Sequence, residues 1–584
     1  MHHEEIHLEH NIALSNVQEP LEDYQVGWKT YLAIFALALA NCCATFSNTT
    51  NTIIKFQVMS VGGASSASWI ANSNFLLTLA CGPIFGSLSD RFGKKWFIVG
   101  GCALGVAGSF ISSSATSVYR IIGGNALTGI ANAGCIVSIA ANQEICPNQC
   151  RPYAFGFAVI LPSLNDLYGS NVLKQTVNSI AAIVGTFSAA AFVEYATWDW
   201  SYRLNGMVYA ISGLAVLLSY RPPPPAIRRA GELREILLEV DYFGIILLAG
   251  SLASLIIGLT WGGSTYAWNS GTIIGTLVAG CVGLFVFGLF EYKIKTSNGI
   301  LDHRLFDTLN FPVLCFVCMV DGMLLLGINV LYSQEIADLF SNDAIRIAVI
   351  LIPYLITSTA GCLPAGWIMG KTQSYRILLI AALLWCSLFT GLMGLIDASK
   401  LKMAFAFSAL FGIGTAVTTV VPIVALGLSV PSYLLGTAGT LSISFRALGG
   451  IVGITIFTAI YDNKNGANLP REVSTIVLGA GESKQILQQV LMALQSQAPP
   501  TVSLSHIAGL PPKLIGPILG AVAKASAESW RYVWVAIACI TLANAVACCF
   551  LKSVKSRMTE HVESALERSV TRDTQMSKKI ATLD

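Results

Sequence analysis

The stretch GSLSDRFGKKWF, lying between two apolar runs, places Gly86, Leu88, Asp90, Arg91, Gly93, Lys94 and Lys95 close together. A four-residue step sets Gly86 and Asp90 on one face of a helix end, where a glycine lets a second helix approach closely. The dipole of that helix disfavours an anion at its C-terminus, so Asp90 needs a compensating donor. The basic cluster beside it also suits a turn anchored at a membrane face. Two further charges stand inside apolar runs, Asp321 in CMVDGML and Arg446 in SISFRALGG. Such groups are costly in hydrocarbon and usually face a cavity or a partner. Asp321 then has two readings: a carboxyl that takes up and releases a proton, or half of a fixed ion pair with Arg446. Arg120 and Asn125, near the start of another apolar run, complete the candidates for polar coupling. Lys55 and Glu335 lie near run ends, where a long side chain can reach water along an apolar surface.

These residues have to be held by membrane helices. Of 584 residues, 54% are hydrophobic and 11% charged, against about a quarter charged in soluble chains. The mean hydropathy is +0.65. Apolar runs of the roughly 20 residues needed to cross a bilayer recur along the chain. They predict spans near 29–58, 66–88, 96–115, 119–142, 177–194, 202–220, 242–261, 272–291, 310–332, 344–368, 376–396, 402–428, 435–460 and 530–551, fourteen in all.

Lys and Arg concentrate in one set of alternate loops, with Arg91, Lys94, Arg151, Arg228, Lys293 and Lys371 among them. This bias predicts cytoplasmic termini. The expected organisation is a tail at 1–27, a six-helix bundle at 28–220, a linker at 221–241, two extra transmembrane helices at 242–291, a second six-helix bundle at 310–551 and a tail at 552–584. An extracellular loop at 462–528 carries an amphipathic stretch around Ile486, Leu487, Val490, Leu491 and Leu494. It suits either a cover over the outer mouth or a helix on the membrane surface. Residues 158–175, with Pro162, Asn165, Asp166 and Gly169, suit neither a span nor a short loop.

Several classes are excluded. A net charge of +3 from 35 basic and 32 acidic residues gives no footprint for nucleic acid. The fifteen cysteines lie mostly in apolar runs and read as small hydrophobes. Cys146 and Cys150 lack a second ligand pair, so no metal and no cofactor is expected. Glycine-rich stretches such as GGIVG lack the Gly-Lys-Ser/Thr ending of a phosphate loop. The spans show no clustered His, Asp or Glu at one depth, so the chain does not read as an enzyme.

The Gly86–Lys95 pattern resembles motif A of the major facilitator superfamily. A degenerate copy, GWIMGKTQSYR, keeps Gly366, Lys371 and Arg376 with Gly370 in place of the acid. Together with VDYFGIILLAG and LTWGGSTYAWNS, it fits six spans, two extra spans and six spans, as in the fourteen-span drug-exporter branch. The segments IIGGNALTGIANAG, QEICPNQCRPYAFG, TWDWSYRLNG and IYDNKNGANLP are similar to fungal relatives of trichothecene efflux pumps and siderophore transporters.

This resemblance implies an all-α membrane protein of the major facilitator fold, with two bundles rocking around a midplane site in the plasma membrane. It also implies that Asp90 meets a helix start in the other half, near Gly436 and Thr437, and holds the inner side closed. The expected partners are the lipid bilayer, a small organic substrate and a proton gradient. The favoured function is proton-coupled efflux of a toxic compound, with siderophore-iron uptake or a non-transporting sensor as alternatives. Three family features are missing. Asn125 stands where the fourth-span motif has arginine, Thr50 stands where the first-span exporter pattern has aspartate, and IAAIVGTFSAAAF lacks the G-P-x-x-G antiporter signature.

Overall fold

The computed structural model describes residues 28–62, 68–145, 170–222, 241–262, 266–294, 309–340, 343–430, 434–480, 482–494 and 510–552, together with Leu305, Leu504 and Ile507. Residues 158–169, Cys146, Cys150, the tail at 1–27 and residues 553–584 lie outside them. Within the described residues the regular structure is helical, with one isolated bridge between Gly262 and Tyr266. A backbone in hydrocarbon must satisfy its own N–H and C=O groups, and a helix does this within a single segment.

The first half contains α1 (Trp28–Thr49), which runs through a 3-10 turn at Thr50–Ile53 into α2 (Ile54–Val61). It continues with α3 (Ser68–Phe92), α4 (Lys94–Ser113), α5 (Val118–Ile136), α6 (Ser138–Ile145), α7 (Ser170–Tyr195) and α8 (Asp199–Ser219). A hairpin of α9 (Tyr242–Trp261) and α10 (Gly271–Ile294) follows. The second half begins with α11 (Asn310–Gly322), a π-helical stretch Met323–Gly327 and α12 (Ile328–Leu339). Next come α13 (Ala344–Ala360), α14 (Cys362–Thr372), α15 (Tyr375–Met393), α16 (Leu401–Ser429), α17 (Leu435–Gly479), α18 (Lys484–Leu494) and α19 (Pro512–Ala547).

Eleven helical segments among the described residues are long and apolar enough to cross a membrane. The long helices α3, α7 and α8 fall outside that set, although a span is expected at each. Asn74 and Thr78 of α3 and Asn205 and Ser212 of α8 are buried against neighbouring helices. These residues lower the hydropathy of a helix without meeting lipid. On α10, in contrast, Val278, Val282, Phe285 and Leu289 form an exposed apolar stripe at helical spacing, the surface a bilayer requires.

The predicted loop at 462–528 is largely helical. α17 runs unbroken for 45 residues, about 68 Å at 1.5 Å per residue and far beyond the roughly 30 Å hydrocarbon core. α19 begins at Pro512, well before the expected span start, with proline at the first turn where its missing N–H costs nothing. The amphipathic stretch forms α18, whose Val490 is buried with Val473 and Val477 of α17 and Ile518 of α19. Its apolar face is therefore spent on this helical cap rather than on a membrane surface. Arg471 to Glu528 (2.7 Å) and Lys524 to Glu472 (2.8 Å) bridge the two long helices.

The turns after α3 and after α14 each contain a residue with positive φ. Gly93 has φ 97° and Gln373 has φ 51°. Each follows its motif glycine, Gly86 or Gly366, at the same spacing. The two conformations differ, with ψ 142° at Gly93 and ψ 21° at Gln373; the positive φ costs little for glycine and strains glutamine.

Candidate functional site

The motif residues assemble where the two halves meet. Asp90, buried in the last turn of α3, accepts hydrogen bonds from the backbone N–H groups of Gly436 (3.0 Å) and Thr437 (2.8 Å) and from the Thr437 hydroxyl (2.9 Å). The carboxylate thus leaves the unfavourable end of its own helix dipole and caps the favourable end of α17. Lys94 lies 3.0 Å from Asp90 and 2.5 Å from Glu144 on α6, so the cluster ties α3, α4, α6 and α17 together. Lys95 donates to the Leu217 carbonyl (2.9 Å) and pins the start of α4 to the end of α8. Leu88 and Arg91 are half-buried beside the cluster.

Glycines set the distance between α3 and α17. A side chain at Gly82 would overlap the Ser444 hydroxyl. One at Gly86 would overlap the Thr440 hydroxyl and lie 2.9 Å from the Gly436 carbonyl. These positions repeat every four residues on both helices, giving a continuous small-residue seam. Deeper in, Ile136, Ile139 and Ala140 of the first half share a buried cluster with Val420, Val424, Leu435 and Ala438 of the second. The halves are sealed together at the Asp90 end.

The second half holds a separate polar centre. Asp321 is 1% exposed and lies 2.6 Å from the Arg446 guanidinium, off the line of a good hydrogen bond. Its other oxygen accepts from the Thr418 (2.8 Å) and Thr419 (3.2 Å) hydroxyls of α16. Arg446 also donates to the Thr419 carbonyl (3.1 Å). α11 and α17 pack so closely here that a side chain at Gly322 would overlap the Arg446 carbonyl, and one at Gly449 the Met319 carbonyl. The π-helical stretch begins two residues after Asp321; such widened turns recur at functional sites.

Asn125 and Arg120 join neither cluster. Asn125 is buried and donates to the Ile70 carbonyl (2.8 Å) and the Tyr202 hydroxyl (3.3 Å), tying α5 to α3 and α8. Arg120 is exposed in the first turn of α5. The first half instead carries an uncharged buried network missed in the sequence. Asn132 donates to the Asn74 side chain (3.1 Å), Asn74 to Thr128 (2.9 Å) and Tyr209 to Asn132 (2.5 Å).

Glu335 corrects a second expectation. It does not reach water: it is 1% exposed, and the Trp534 indole N–H lies 3.1 Å from both carboxylate oxygens. Its neighbour Asp338 accepts from Trp530 (3.0 Å) and Tyr461 (2.8 Å). The spacing of tryptophans in SWRYVW, one turn apart on α19, was the available signal. Trp534→Phe leaves a buried carboxylate without its indole donor. It is expected to destabilise the protein by about 1–3 kcal/mol, read as a lower Tm in thermal unfolding of detergent-purified protein; an unchanged Tm would show that Glu335 is satisfied elsewhere. Lys55 lies on α2, with its side chain outside the described residues.

A continuous helical membrane chain with an acidic residue clamped across two pseudo-repeated halves invites comparison with known transporters. The family model "Fungal trichothecene efflux pump (TRI12)" matches residues 12–576. The chain belongs to this family. Efflux pump FUS6 of Gibberella fujikuroi is 24% identical over 97% of this chain and 97% of its own length. The MFS-type transporter gkaD of Penicillium citrinum is 25% identical over 79% and 77% respectively. Among solved structures, the major facilitator proton:xylose symporter XylE superposes with a TM-score of 0.53 at 14% identity, covering 92% of this chain and 99% of that one. The human organic anion transporter MFSD10 (TETRAN) gives a TM-score of 0.50 at 11% identity, covering 88% and 100%. As a member of the trichothecene efflux pump family, the chain is a multi-pass major facilitator transporter and not an enzyme.

Proposed function

We propose that this protein exports a toxic small organic compound across a fungal plasma membrane by proton-coupled alternating access. It has fourteen spans and cytoplasmic termini in this reading. The observation that carries it is the grip of Asp90 on the start of α17. A single carboxylate with three donors from the opposite half is a latch that forms when one side closes and must break when it opens. Bias of Lys and Arg toward the loops at the Asp90 end supports placing that end in the cytoplasm. The conformation is then closed to the cytoplasm, the state from which an exporter releases cargo.

Asp321 is the proposed proton site. It is buried, paired with Arg446 and seated on α11 beside a helix irregularity, and protonation would release Arg446 from its charge partner. The Arg446 Nε has no hydrogen-bond partner among the described residues, leaving a donor for a substrate oxygen.

The test is accumulation of a labelled trichothecene in cells expressing the protein, with and without a protonophore. Expression is expected to lower accumulation several-fold, and the protonophore to abolish the difference. Raised accumulation of a ferric siderophore in the same cells would reverse the direction. Binding of either compound without flux would indicate a sensor.

A further inference from the structure

We propose that Glu335 is a second proton-carrying carboxyl of the transport cycle. It loads from the outer face past Asp338 and passes its proton to Asp321 along a hydroxyl-bearing face of α16. This deepens the proton-coupled reading and rests on it, with the Asp90 end in the cytoplasm.

The surroundings of Glu335 suit a proton better than a permanent charge. A buried charge is costly unless it is paired, and a proton on the carboxylate removes that cost. Glu335 accepts from the neutral Trp534 indole. The other groups that face it are Asp338 and Tyr332 on its own helix. Behind Asp338 stand Trp530 of α19 and Tyr461 of α17, with Asp462 beside Tyr461. Basic side chains of the packed helices are engaged elsewhere. Arg531 of α19 donates to the Gly394 carbonyl (3.1 Å), Lys464 of α17 lies over the Tyr532 ring, and Arg471 and Lys524 belong to the bridges of the helical cap. Arg346 of α13, Lys402 of α16 and Lys513 of α19 are exposed. Asp338, one turn further along α12, is exposed as well, so a carboxylate in water adjoins one that is out of it.

Asp321 lies about 21 Å from Glu335 along the α11–α12 rod at 1.5 Å per residue, and buried hydroxyls stand beside that interval. The Tyr332 hydroxyl, one turn from Glu335, donates to the Ala404 carbonyl of α16 (3.3 Å), with the Ser408 hydroxyl next to it. Ser408, Phe411, Thr415 and Thr418 share one face of α16, and Thr418 donates to Asp321 (2.8 Å). Tyr354 of α13 stacks on Phe411, at the break in this polar face. Tyr354 is 1% exposed; its hydroxyl lies near Thr415 and makes no hydrogen bond among the described residues. A buried hydroxyl without a partner is costly, and a water seated beside it restores the bond. Each hydroxyl relays a proton by accepting one and releasing another, and water closes the intervals between them. The net step turns the Glu335 acid into a carboxylate and the Asp321 carboxylate into an acid, after which Glu335 reloads from the Asp338 side.

The first test uses infrared difference spectra of the full-length protein in lipid nanodiscs on acidification, which read proton uptake without flux. A carboxylic-acid band is expected in the parent, absent in Glu335→Gln and shifted in Trp534→Phe. A band that persists in Glu335→Gln would overturn the proton site. The second uses proteoliposomes and labelled trichothecene. Glu335→Gln is expected to lower proton-driven export by about tenfold and to spare exchange of the compound without a gradient, with Glu335→Asp restoring part of the loss. Equal loss of export and exchange would show a structural role and overturn the proposal. Tyr354→Phe removes a hydroxyl that bonds to none of the described residues, so Tm should hold while proton-driven export falls severalfold. Parental export in Tyr354→Phe would overturn the route. A parent chain that exports no trichothecene would defeat the export reading, and the infrared band would still decide whether Glu335 takes up a proton.

Discussion

Asp90→Asn is expected to reduce transport to about a tenth of the parent or less while leaving the protein folded. The substitution keeps the shape of the side chain but removes the charge that accepts from Gly436, Thr437 and Lys94. Breaking one partner out of a buried ion pair costs about 3–5 kcal/mol. The part of that loss carried by Gly436 and Thr437 falls on the state in which α3 meets α17, because those donors lie in the half opposite Asp90, whereas Lys94 lies in the same half. A bias of about 3 kcal/mol shifts a two-state equilibrium by roughly a hundredfold. The shift can be read directly with Ser89→Cys, since Ser89 is 0% exposed beside the clamp. Its modification by an impermeant maleimide applied from the cytoplasmic side should speed up markedly in the Asp90→Asn background. Equal modification rates and full transport would show that Asp90 merely anchors a turn. Gly86→Val should reach the same transport defect by another route, because its side chain would overlap Thr440 and keep the helices from closing.

Arg446→Ala should be the most destabilising single change in the second half. It leaves Asp321 at 1% exposure with the Thr418 and Thr419 hydroxyls as its remaining donors among the described residues, and the expected cost is again about 3–5 kcal/mol. Asp321→Asn should behave differently. An amide can keep a hydrogen bond to either threonine, so folding should survive while the response to a proton gradient is lost. The pair is best resolved as a double-mutant cycle on detergent-purified protein. Asp321→Asn with Arg446→Gln should recover most of the stability lost in Arg446→Ala, because no charge then remains uncompensated. It should not recover proton-driven transport. If Asp321→Asn alone transports at the parental rate and still responds to a protonophore, the Asp321–Arg446 pair is a structural ion pair and the proton site lies elsewhere.

Parts of this architecture were legible in the chain because they depend on local chemistry. The apolar runs are such a case, since span length is set by bilayer thickness and composition alone. The Gly86–Asp90 face is another, since a four-residue step fixes which side chains share a helix surface. The cost of Asp321 and Arg446 in hydrocarbon pointed to a partner for each. The pairing of Asp90 with Gly436 and Thr437 was not legible in spacing, because 346 residues separate Asp90 from Gly436; it came from the family likeness.

Other features depend on what a residue packs against. Glu335 reads as a carboxylate near a span end, and only the position of α19 turns it into a buried group held by Trp534. Asn74 and Thr78 of α3 and Asn205 and Ser212 of α8 lower the hydropathy of those helices, yet burial against neighbours keeps them from lipid. The segment 462–528 has a loop's polarity, but α18 finds an apolar surface on the extensions of α17 and α19.

The sequence alone determined a helical membrane chain, its repeat and its motif, because hydrophobic length and helical periodicity act within a segment. The tertiary structure alone decided which carboxylates are clamped and which are buried. Those properties belong to contacts between helices far apart in the chain, and burial is a property of the assembled neighbours rather than of any one segment.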